Sequence, residues 1–273
     1  MAGSIRDIRI GRAQMTLPAK KSLGQHFLHH PATLEKIVSL AKVSGDDLVL
    51  EIGPGPGGLT NRLVEKAKHL VAIEKDSRFV DELRERYKGL ESVEIIEEDV
   101  LKVDFSKLLI APRYKVVANL PYNIATEIIF RLLDHRDKIQ DMYLMVQKEV
   151  ADRIVATPAQ RKDYSVLSLT SQIYSENKIV MKLPPGAFFP APKVDSAIVH
   201  FKVSPEPRYP LQNFPFFKKL VQTVFSQRRK KMINPLRSLL KGKTAEEIIS
   251  VFNQIGISAD VRPEEVSLES FAA

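Results

Sequence analysis

The segment Asn119-Leu120-Pro121-Tyr122 carries groups that can bind a planar ring with an exocyclic amine. The amide oxygen of Asn119 and the carbonyl oxygen of Leu120 are two acceptors, which matches the two N–H groups of such an amine. The ring of Tyr122 offers a face for stacking. An ordinary turn after a strand is the alternative interpretation, because Pro121 by itself is typical of structural turns.

The residues before this turn predict where it lies in the fold. Lys115 is followed by a run of apolar or small residues, which is typical of a buried parallel strand. Pro121 cannot donate a ladder hydrogen bond and biases Leu120 towards extended geometry, so the strand ends here. In open α/β sheets, ligands bind beyond the carboxyl ends of the strands. We therefore expect this turn to face a ligand site.

A glycine-rich turn follows a second apolar strand. Residues 48–52 read as that strand and lead directly into Gly53-Pro54-Gly55-Pro56-Gly57-Gly58. Glycines let a ligand lie against backbone amides, as in the mononucleotide-binding halves of α/β folds. The spacing of Gly53, Gly55 and Gly58 fits dinucleotide enzymes, whereas Gly53, Gly55 and Gly57 fit enzymes that use S-adenosylmethionine. The glycines alone leave both classes open.

Two carboxylates at later strand ends separate these classes. Residues 70–74 read as a short strand that ends in Glu74, where a ribose diol would find an acceptor pair. Residues 93–97 read as the next strand, and Asp99 after it offers a carboxylate for the exocyclic amine of an adenine. A dehydrogenase would explain Glu74 but gives Asp99 no role. A surface position for Glu74 and a turn position for Asp99 are the alternatives.

The composition narrows the classes of partner. The chain of 273 residues has 41 Lys and Arg against 33 Asp and Glu, a net charge of +8. This excess favours a polyanion, with nucleic acid ahead of a membrane. The absence of Cys excludes disulfides and thiolate metal sites. The spacing of the six His residues predicts no metal site.

The order of these motifs resembles the rRNA adenine N6,N6-dimethyltransferases of the KsgA type, in the rRNA adenine N(6)-methyltransferase superfamily. The matching segments run from Gly24 to about residue 240, and the match is expected to continue to the end of the sequence. They are Gly24-Gln25-His26-Phe27-Leu28, Glu51-Ile52-Gly53-Pro54-Gly55, Glu74, Asp99, Asn119-Leu120-Pro121-Tyr122 and Phe188-Phe189-Pro190-Ala191-Pro192-Lys193-Val194-Asp195-Ser196.

The resemblance implies an α/β fold of the class I S-adenosylmethionine methyltransferases, Rossmann-like with a seven-stranded, mostly parallel sheet and a small C-terminal all-α domain. It implies S-adenosylmethionine as methyl donor and no metal. The implied substrate is a pair of adjacent adenosines in the 3′-terminal hairpin loop of 16S rRNA, and the implied partner is a precursor of the small ribosomal subunit. A cytoplasmic monomer without membrane contact is expected, with an organelle matrix as the alternative location.

The resemblance also assigns roles to individual residues. Gln25 matches a residue that closes over the donor. His26 stands where many members have Asn, so the resemblance implies that the backbone of His26, and not its side chain, contacts the donor. Six positions match residues that bind the donor in the family: His26, Leu28, Gly53, Glu74, Asp99 and Asn119. Glu51 and Gly55, from the matched glycine motif, are also expected to bind the donor.

These roles lead to a mechanistic hypothesis for residues 119–122. Asn119 and the Leu120 carbonyl accept the two hydrogens of the adenine amine, which favours a more pyramidal nitrogen as it attacks the methyl group. Tyr122 stacks on the extruded base. Phe188, in a stiff proline-rich loop, is predicted to stack on the same base. A structural turn with a buried Phe188 is the alternative.

A basic run predicts an RNA-binding segment near the C-terminus. Between Lys218 and Lys243 there are nine basic residues and no acid. A solvated helix face normally mixes both signs, so this run favours contacts with phosphates. The four consecutive basic residues are predicted to bind RNA: Arg228, Arg229, Lys230 and Lys231.

The predicted organisation has three parts. Residues 1–21 form a basic flexible arm, which binds RNA, is simply disordered or serves as an organelle transit peptide. Residues 22–204 form the methyltransferase domain. Residues 205–273, which begin with the Pro-rich linker at 205–210, form a small helical RNA-binding domain.

Two alternative functions remain open from the sequence, with a dehydrogenase as a third behind them. One is a 23S rRNA adenine N6-methyltransferase of the macrolide-resistance type, which shares the fold and the motifs. The other is a non-catalytic RNA-binding assembly or transcription factor on the same scaffold. The presence of Glu74, Asp99 and Asn119 favours a catalyst.

Overall fold

The computed structural model describes residues 18, 20, 24–111 and 113–273. Most of the predicted basic arm, residues 1–21, therefore lies outside the described residues. The strands are β1 (Phe27–Leu28), β2 (Leu48–Ile52), β3 (His69–Glu74), β4 (Val93–Glu97), β5 (Tyr114–Asn119), β6 (Ile139–Gln147), β7 (Ser175–Leu183), β8 (Phe188–Phe189) and β9 (Ser196–Val203).

The α-helices connect and cover these strands. They are α1 (Pro31–Leu40), α2 (Thr60–Val64), α3 (Ser77–Arg86), α4 (Phe105–Leu108), α5 (Ala125–Asp134), α6 (Lys148–Val155), α7 (Val166–Gln172), α8 (Phe214–Phe225), α9 (Ile233–Leu239), α10 (Ala245–Gln254) and α11 (Leu268–Ala272). None of the helices in the described ranges is both long and apolar enough to span a membrane.

Seven strands form one sheet in the order β4-β3-β2-β5-β6-β9-β7. The pairs β2–β3, β3–β4, β2–β5 and β5–β6 are parallel, and β6–β9 is antiparallel. The predicted fold class, a seven-stranded and mostly parallel sheet, is confirmed. The order reverses at β2, where the chain crosses from the β3 side of the sheet to β5. In α/β folds, the crevice at such a reversal is where ligands bind.

The central strands are apolar because helices cover both of their faces. Val49 and Leu50 in β2 and Val116 and Val117 in β5 have no exposed surface. Strands buried on both faces read as continuous apolar runs rather than as alternating patterns, and this is why the sequence predicts them well. The adjacent helix α5 buries Ile128, Ile129 and two Leu side chains on one face.

The residues group into two compact units. The first unit runs to Ala151 and resumes over Lys178–Val203, and the second consists of Asp152–Asn177 and Ser204–Ala273. The predicted boundary at residue 205 placed residues 152–177 in the first domain. In the structure, Tyr164, Leu169 and Ile173 share an apolar cluster with the C-terminal helices, and this packing assigns them to the second unit.

A separate two-stranded sheet lies within the first unit. β1 pairs with β8 in antiparallel register, so that Phe27 lies opposite Phe189 and Leu28 lies opposite Phe188. This pairing brings the segment before α1 next to the Pro-rich loop that precedes β9. The resulting element forms part of the site described below.

Candidate active site

A cavity of about 180 Å³ lies at the carboxyl ends of the four parallel strands β2 to β5. It collects most of the predicted site residues, although they are far apart in the sequence. The predicted residues that line it are Gln25, His26, Gly53, Gly55, Glu74, Asp99, Asn119, Leu120, Pro121 and Tyr122. Leu28, Glu51 and Phe188 do not line this cavity.

The side-chain amide of Asn119 has a defined orientation. Its Nδ2 donates a hydrogen bond to the backbone carbonyl of His26 at 2.8 Å. A carbonyl can only accept, so the amide nitrogen must face His26, and Oδ1 remains an acceptor. The Leu120 N–H bonds the Met145 carbonyl at 3.1 Å, while the Leu120 carbonyl lies beyond the last paired residue of β5. Both predicted acceptors are therefore at the end of one strand.

Tyr122 is held from two sides. Its hydroxyl hydrogen-bonds Ser196 Oγ at 2.5 Å. Its ring stacks against the His26 ring, with centroids 5.5 Å apart and an interplanar angle of 20°. Burial raises the pKa of the Tyr122 hydroxyl. The ring is thus a neutral, oriented wall of the cavity.

His26 contributes its side chain as well as its backbone. Nδ1 lies 2.7 Å from the Pro190 carbonyl and must carry the proton of this bond, because the carbonyl oxygen only accepts. This bond links the segment before β1 to the loop after β8. The His26 imidazole therefore helps to hold the cavity wall in place.

The glycine turn and Glu74 form one hydrogen-bonded unit. The Gly55 N–H donates to Glu74 Oε2 at 3.0 Å, and the amides of Lys75 and Asp76 donate to Oε1 at 2.8 Å each. Burial raises the pKa of the Glu74 carboxyl, and these amides oppose that shift. Gly55 has φ +54°, and a Cβ at this position would lie 2.8 Å from Cε1 of Phe27. Only glycine fits here without displacement.

Asp99 is oriented by two donors. Lys75 Nζ lies 2.7 Å from Oδ2, and the Leu101 N–H donates to Oδ1 at 3.0 Å. The Lys75 hydrogen bond, followed by the Leu101 amide, lowers the pKa of the Asp99 carboxyl. Asp99 is therefore ionised at neutral pH and faces the cavity as an acceptor.

Glu51 and Leu28 line a second, smaller cavity of about 40 Å³. The two cavities share Phe27, Gly53 and Asn119 in their walls. Glu51 is 2% exposed, and no group in the described part of the chain hydrogen-bonds its Oε2. Burial, reinforced by the nearby Glu74 charge, raises the pKa of Glu51 to about 8. This carboxyl is protonated at neutral pH.

Asp76 is a site residue that the sequence reasoning missed. Its carboxylate accepts hydrogen bonds from Gln25 Nε2 at 3.2 Å, from Lys20 Nζ at 3.3 Å and from Arg78 Nη2 at 2.6 Å. Hydrogen bonds from Arg78 above all hold its pKa far below the usual range. Asp76 thus anchors Gln25 beside the cavity. Two features could have indicated Asp76 as a site residue: it lies two residues after Glu74, and it is the N-cap of α3.

Phe188 corrects an expectation drawn from the sequence. It is 2% exposed and packs in the apolar core with Leu28 and Leu34, whereas Phe189 is 58% exposed. Successive side chains of a strand point to opposite faces, and the pairing of β8 with β1 turns Phe188 inwards. The arrangement agrees with the alternative interpretation, a buried Phe in a stiff turn, and not with a stacking surface.

The four predicted RNA-binding residues have different environments within the second unit. Arg228 Nε lies 3.2 Å from Glu264, and Lys231 Nζ lies 2.6 Å from Asp260. Arg229 and Lys230 are exposed. Arg228 also donates to the Lys162 carbonyl at 3.0 Å, so it supports the neighbouring loop.

Among the described residues, no cluster of three or more His, Asp or Glu could hold a metal ion.

Comparison with known proteins identifies relatives along almost the whole chain. Residues 17–272 match the family model described as "Ribosomal RNA adenine dimethylase". A relative from Geobacter metallireducens named "Ribosomal RNA small subunit methyltransferase A" is 40% identical over 258 residues, which is 93% of this chain and 94% of that protein. A protein of the same name from Halothermothrix orenii is also 40% identical and covers 94% of this chain and 87% of its own length.

Solved structures agree with these sequence matches. A dimethyladenosine transferase from Plasmodium falciparum superposes with a TM-score of 0.75 at 29% identity, over 90% of this chain and 94% of that one. The 23S rRNA methyltransferase ErmE gives a TM-score of 0.67 at 25% identity, over 90% and 96% of the two chains. The predicted family is therefore confirmed, and the chain belongs to the ribosomal RNA adenine dimethylase family.

Proposed function

We propose that this protein dimethylates N6 of two adjacent adenosines in the 3′-terminal hairpin loop of small-subunit rRNA, with S-adenosylmethionine as donor. The observation that carries the proposal is the orientation of Asn119. Nδ2 donates to the His26 carbonyl, so Oδ1 is the end of the amide that can accept a hydrogen bond from a ligand. The same cavity contains the glycine turn, Glu74 and Asp99.

The cavity fits an adenosyl group. Gly55 lets the turn pack closely against the Phe27 ring, which lines the cavity. Glu74 offers a carboxylate beside the turn for a ribose diol, and Asp99 offers one for the adenine amine. We assign these contacts to the donor, with Gln25 anchored beside it by Asp76. The bound donor supplies a methyl group on a positively charged sulfur.

The remaining residues act on the acceptor base. The Asn119 amide and the Leu120 carbonyl accept the two amine hydrogens, which reduces delocalisation of the nitrogen lone pair into the ring. Tyr122, held by Ser196 and His26, stacks on the base. No strong base is needed, because fixed dipoles and positioning supply most of the rate gain. As the N–C bond forms, the bond between the methyl carbon and sulfur breaks and the sulfur leaves as a neutral thioether, while the methylated nitrogen releases one proton to solvent. A single N–H then remains, and either acceptor can hold it.

Glu51 is assigned to the charged amino-acid end of the donor. Its buried Oε2 has no hydrogen-bond partner in the described residues, and an ammonium group is the ligand that would satisfy it. Binding of a cation beside a protonated carboxyl releases a proton, so donor affinity should rise with pH up to the pKa of about 8.

Replacement of Glu51 by Gln tests this buried carboxyl. In the folded protein the pKa is about 8, against 4.5 for the free side chain. Between about pH 4.5 and pH 8 the carboxyl is therefore protonated in the folded state and ionised in the unfolded state. Its contribution to the free energy of unfolding is complete below pH 4.5, where both states are protonated. That contribution falls as pH rises towards 8. We expect Glu51→Gln to melt several degrees above wild type at about pH 9 and close to it at about pH 5, by calorimetry.

The matched control for this measurement is Glu94→Gln. Glu94 is an exposed carboxylate on β4, so this variant makes the same change from Glu to Gln without altering a buried group. Melting curves of Glu51→Gln that run parallel to wild type from about pH 5 to pH 9 would show that Glu51 does not bind an extra proton in the folded state.

The partner in this proposal is a precursor particle of the small ribosomal subunit, and the protein acts on it as a cytoplasmic monomer. The net charge of +8 supports an rRNA partner. The names of the relatives support the small subunit. The large-subunit 23S rRNA is the second candidate to be tested, because the fold is also similar to that of ErmE, although the sequence relatives favour the small subunit.

Methyl transfer onto isolated ribosomal particles distinguishes the two candidates. Immature small subunits and large subunits are each incubated with the protein and labelled donor, and the nucleosides are identified by mass spectrometry. We expect dimethyladenosine in small-subunit rRNA only. Product in the large subunit alone would favour the second candidate, and donor binding without any product would favour a non-catalytic factor.

Two exposed basic residues are expected to dominate RNA binding by the second unit. The double variant Arg229→Glu with Lys230→Glu should raise KM for small subunits at least about tenfold and reduce the salt dependence, because each lost phosphate contact lowers the slope by about 1. Arg228 and Lys231 are already paired with carboxylates. The donor Kd should not change.

Two exposed lysines of the first unit provide a control with the same change in net charge. Lys36→Glu with Lys66→Glu should alter KM for the particle much less. Equal effects of the two double variants would mean that overall charge, and not this surface, determines affinity.

A further inference from the structure

The side chain of Phe189 projects into solvent beside the candidate active site. It is 58% exposed, although Phe is usually buried and its neighbour Phe188 is 2% exposed. We propose that Phe189 stacks on an unpaired nucleobase that flanks the target adenosine. This inference rests on the proposed function and adds an RNA contact outside the cavity.

Two observations place Phe189 next to residues that line the cavity, although Phe189 itself does not line it. It is the register partner of Phe27, which lines the cavity, and opposite residues of an antiparallel pair project to the same face. The next residue, Pro190, accepts a hydrogen bond from His26 Nδ1, and His26 stacks on Tyr122. A base adjacent to one bound at Tyr122 would therefore pass close to Phe189.

The backbone around Phe189 is well supported. β8 is paired with β1, the His29 N–H bonds the Ala187 carbonyl at 3.3 Å, and the Lys148 N–H bonds the Asp195 carbonyl at 2.9 Å. Prolines on both sides of β8 restrict the chain further. An aromatic ring on such a support loses little conformational entropy when a base stacks on it.

The surroundings favour nucleic acid over a protein as the occupant. Lys193 in the same loop is exposed, and the combination of exposed aromatic rings with basic side chains is typical of surfaces that bind single-stranded nucleic acid. The large exposed apolar side chains of this loop are Phe189 and Val194, at 58% and 45%. Two such side chains form a patch far smaller than the roughly 800 Å² that each partner contributes to a stable protein interface.

Steady-state kinetics with immature small subunits test the proposal. The variants are Phe189→Ala, Phe189→Tyr and, as a control in the same loop, Val194→Ala. We expect Phe189→Ala to raise KM for the particle at least about fivefold, because stacking of one base on an aromatic ring contributes that much or more. Phe189→Tyr should restore KM to within about twofold of wild type, because its ring stacks equally well.

Separate measurements exclude structural explanations. The donor Kd from calorimetry, the melting temperature and the sedimentation coefficient should be the same for all variants and wild type. A KM of Phe189→Ala equal to wild type, or failure of Tyr to restore it, would overturn the inference. A changed sedimentation coefficient would indicate contact with a second copy and also overturn it. Absence of methyl transfer by the wild type would instead contradict the proposed function.

Discussion

Replacement of Asn119 by Ala is expected to reduce the rate of methyl transfer to rRNA by about 10²–10³-fold, while the donor still binds. Removal of one fixed dipole that acts on the charge developing in a transition state typically has an effect of this size. Asn119 Oδ1 is such a dipole, because Nδ2 is held by the His26 carbonyl at 2.8 Å. Single-turnover kinetics measure the chemical step, and calorimetry measures donor affinity.

Two further variants separate the acceptor role of Asn119 from its structural role. Asn119→Asp keeps an acceptor oxygen but loses the donor to His26, so its rate should lie between those of wild type and Asn119→Ala. Asn253→Ala, on the exposed face of α10, should behave as wild type. Undiminished dimethylation by Asn119→Ala would remove Asn119 from the mechanism. A loss of donor affinity as large as the loss of rate would assign it to binding.

Replacement of Gly55 by Ala is expected to weaken donor binding roughly a hundredfold. The backbone of Gly55 has φ +54°, which a residue with a side chain adopts at a cost of about 1–2 kcal/mol. The added Cβ would lie 2.8 Å and 3.0 Å from two carbons of the Phe27 ring. Relief of this contact must move the turn, which also loosens the 3.0 Å hydrogen bond from Gly55 to Glu74.

Gly45→Ala is the matched control for this variant. A Cβ at Gly45 would meet no atom within 4 Å, so donor Kd and melting temperature should match wild type. Calorimetric titration with donor, combined with thermal melting, distinguishes a local change at the turn from general unfolding. Donor affinity of folded Gly55→Ala within about twofold of wild type would show that the turn tolerates a Cβ beside Phe27 without a change in the donor site.

The central sheet and the position of the site could be predicted from the sequence. Strands β2 and β5 are continuous apolar runs because both of their faces are buried. Glu74, Asp99 and Asn119 each follow or end a parallel strand, and the carboxyl ends of parallel strands meet at one edge of the sheet. The positions of these three residues at strand ends were therefore enough to predict that they lie close together.

Other features depend on contacts between distant segments. The direction of the Asn119 amide is set by His26, 93 positions earlier, and the orientation of Tyr122 is set by Ser196, 74 positions later. The helical residues 152–177 join the C-terminal unit because their apolar faces match helices that follow β9. None of these partners can be read from spacing along the chain.

The sequence by itself determined the fold class, the ligand-binding edge and the types of group that meet there, because apolar runs and strand ends are local properties. Only the tertiary structure decided that Phe188 is buried and Phe189 exposed, since the alternation of a strand defines two faces but not which one meets the core. It also decided that Glu51 is protonated, because a carboxyl's pKa depends on its burial and on neighbouring charges that folding brings together.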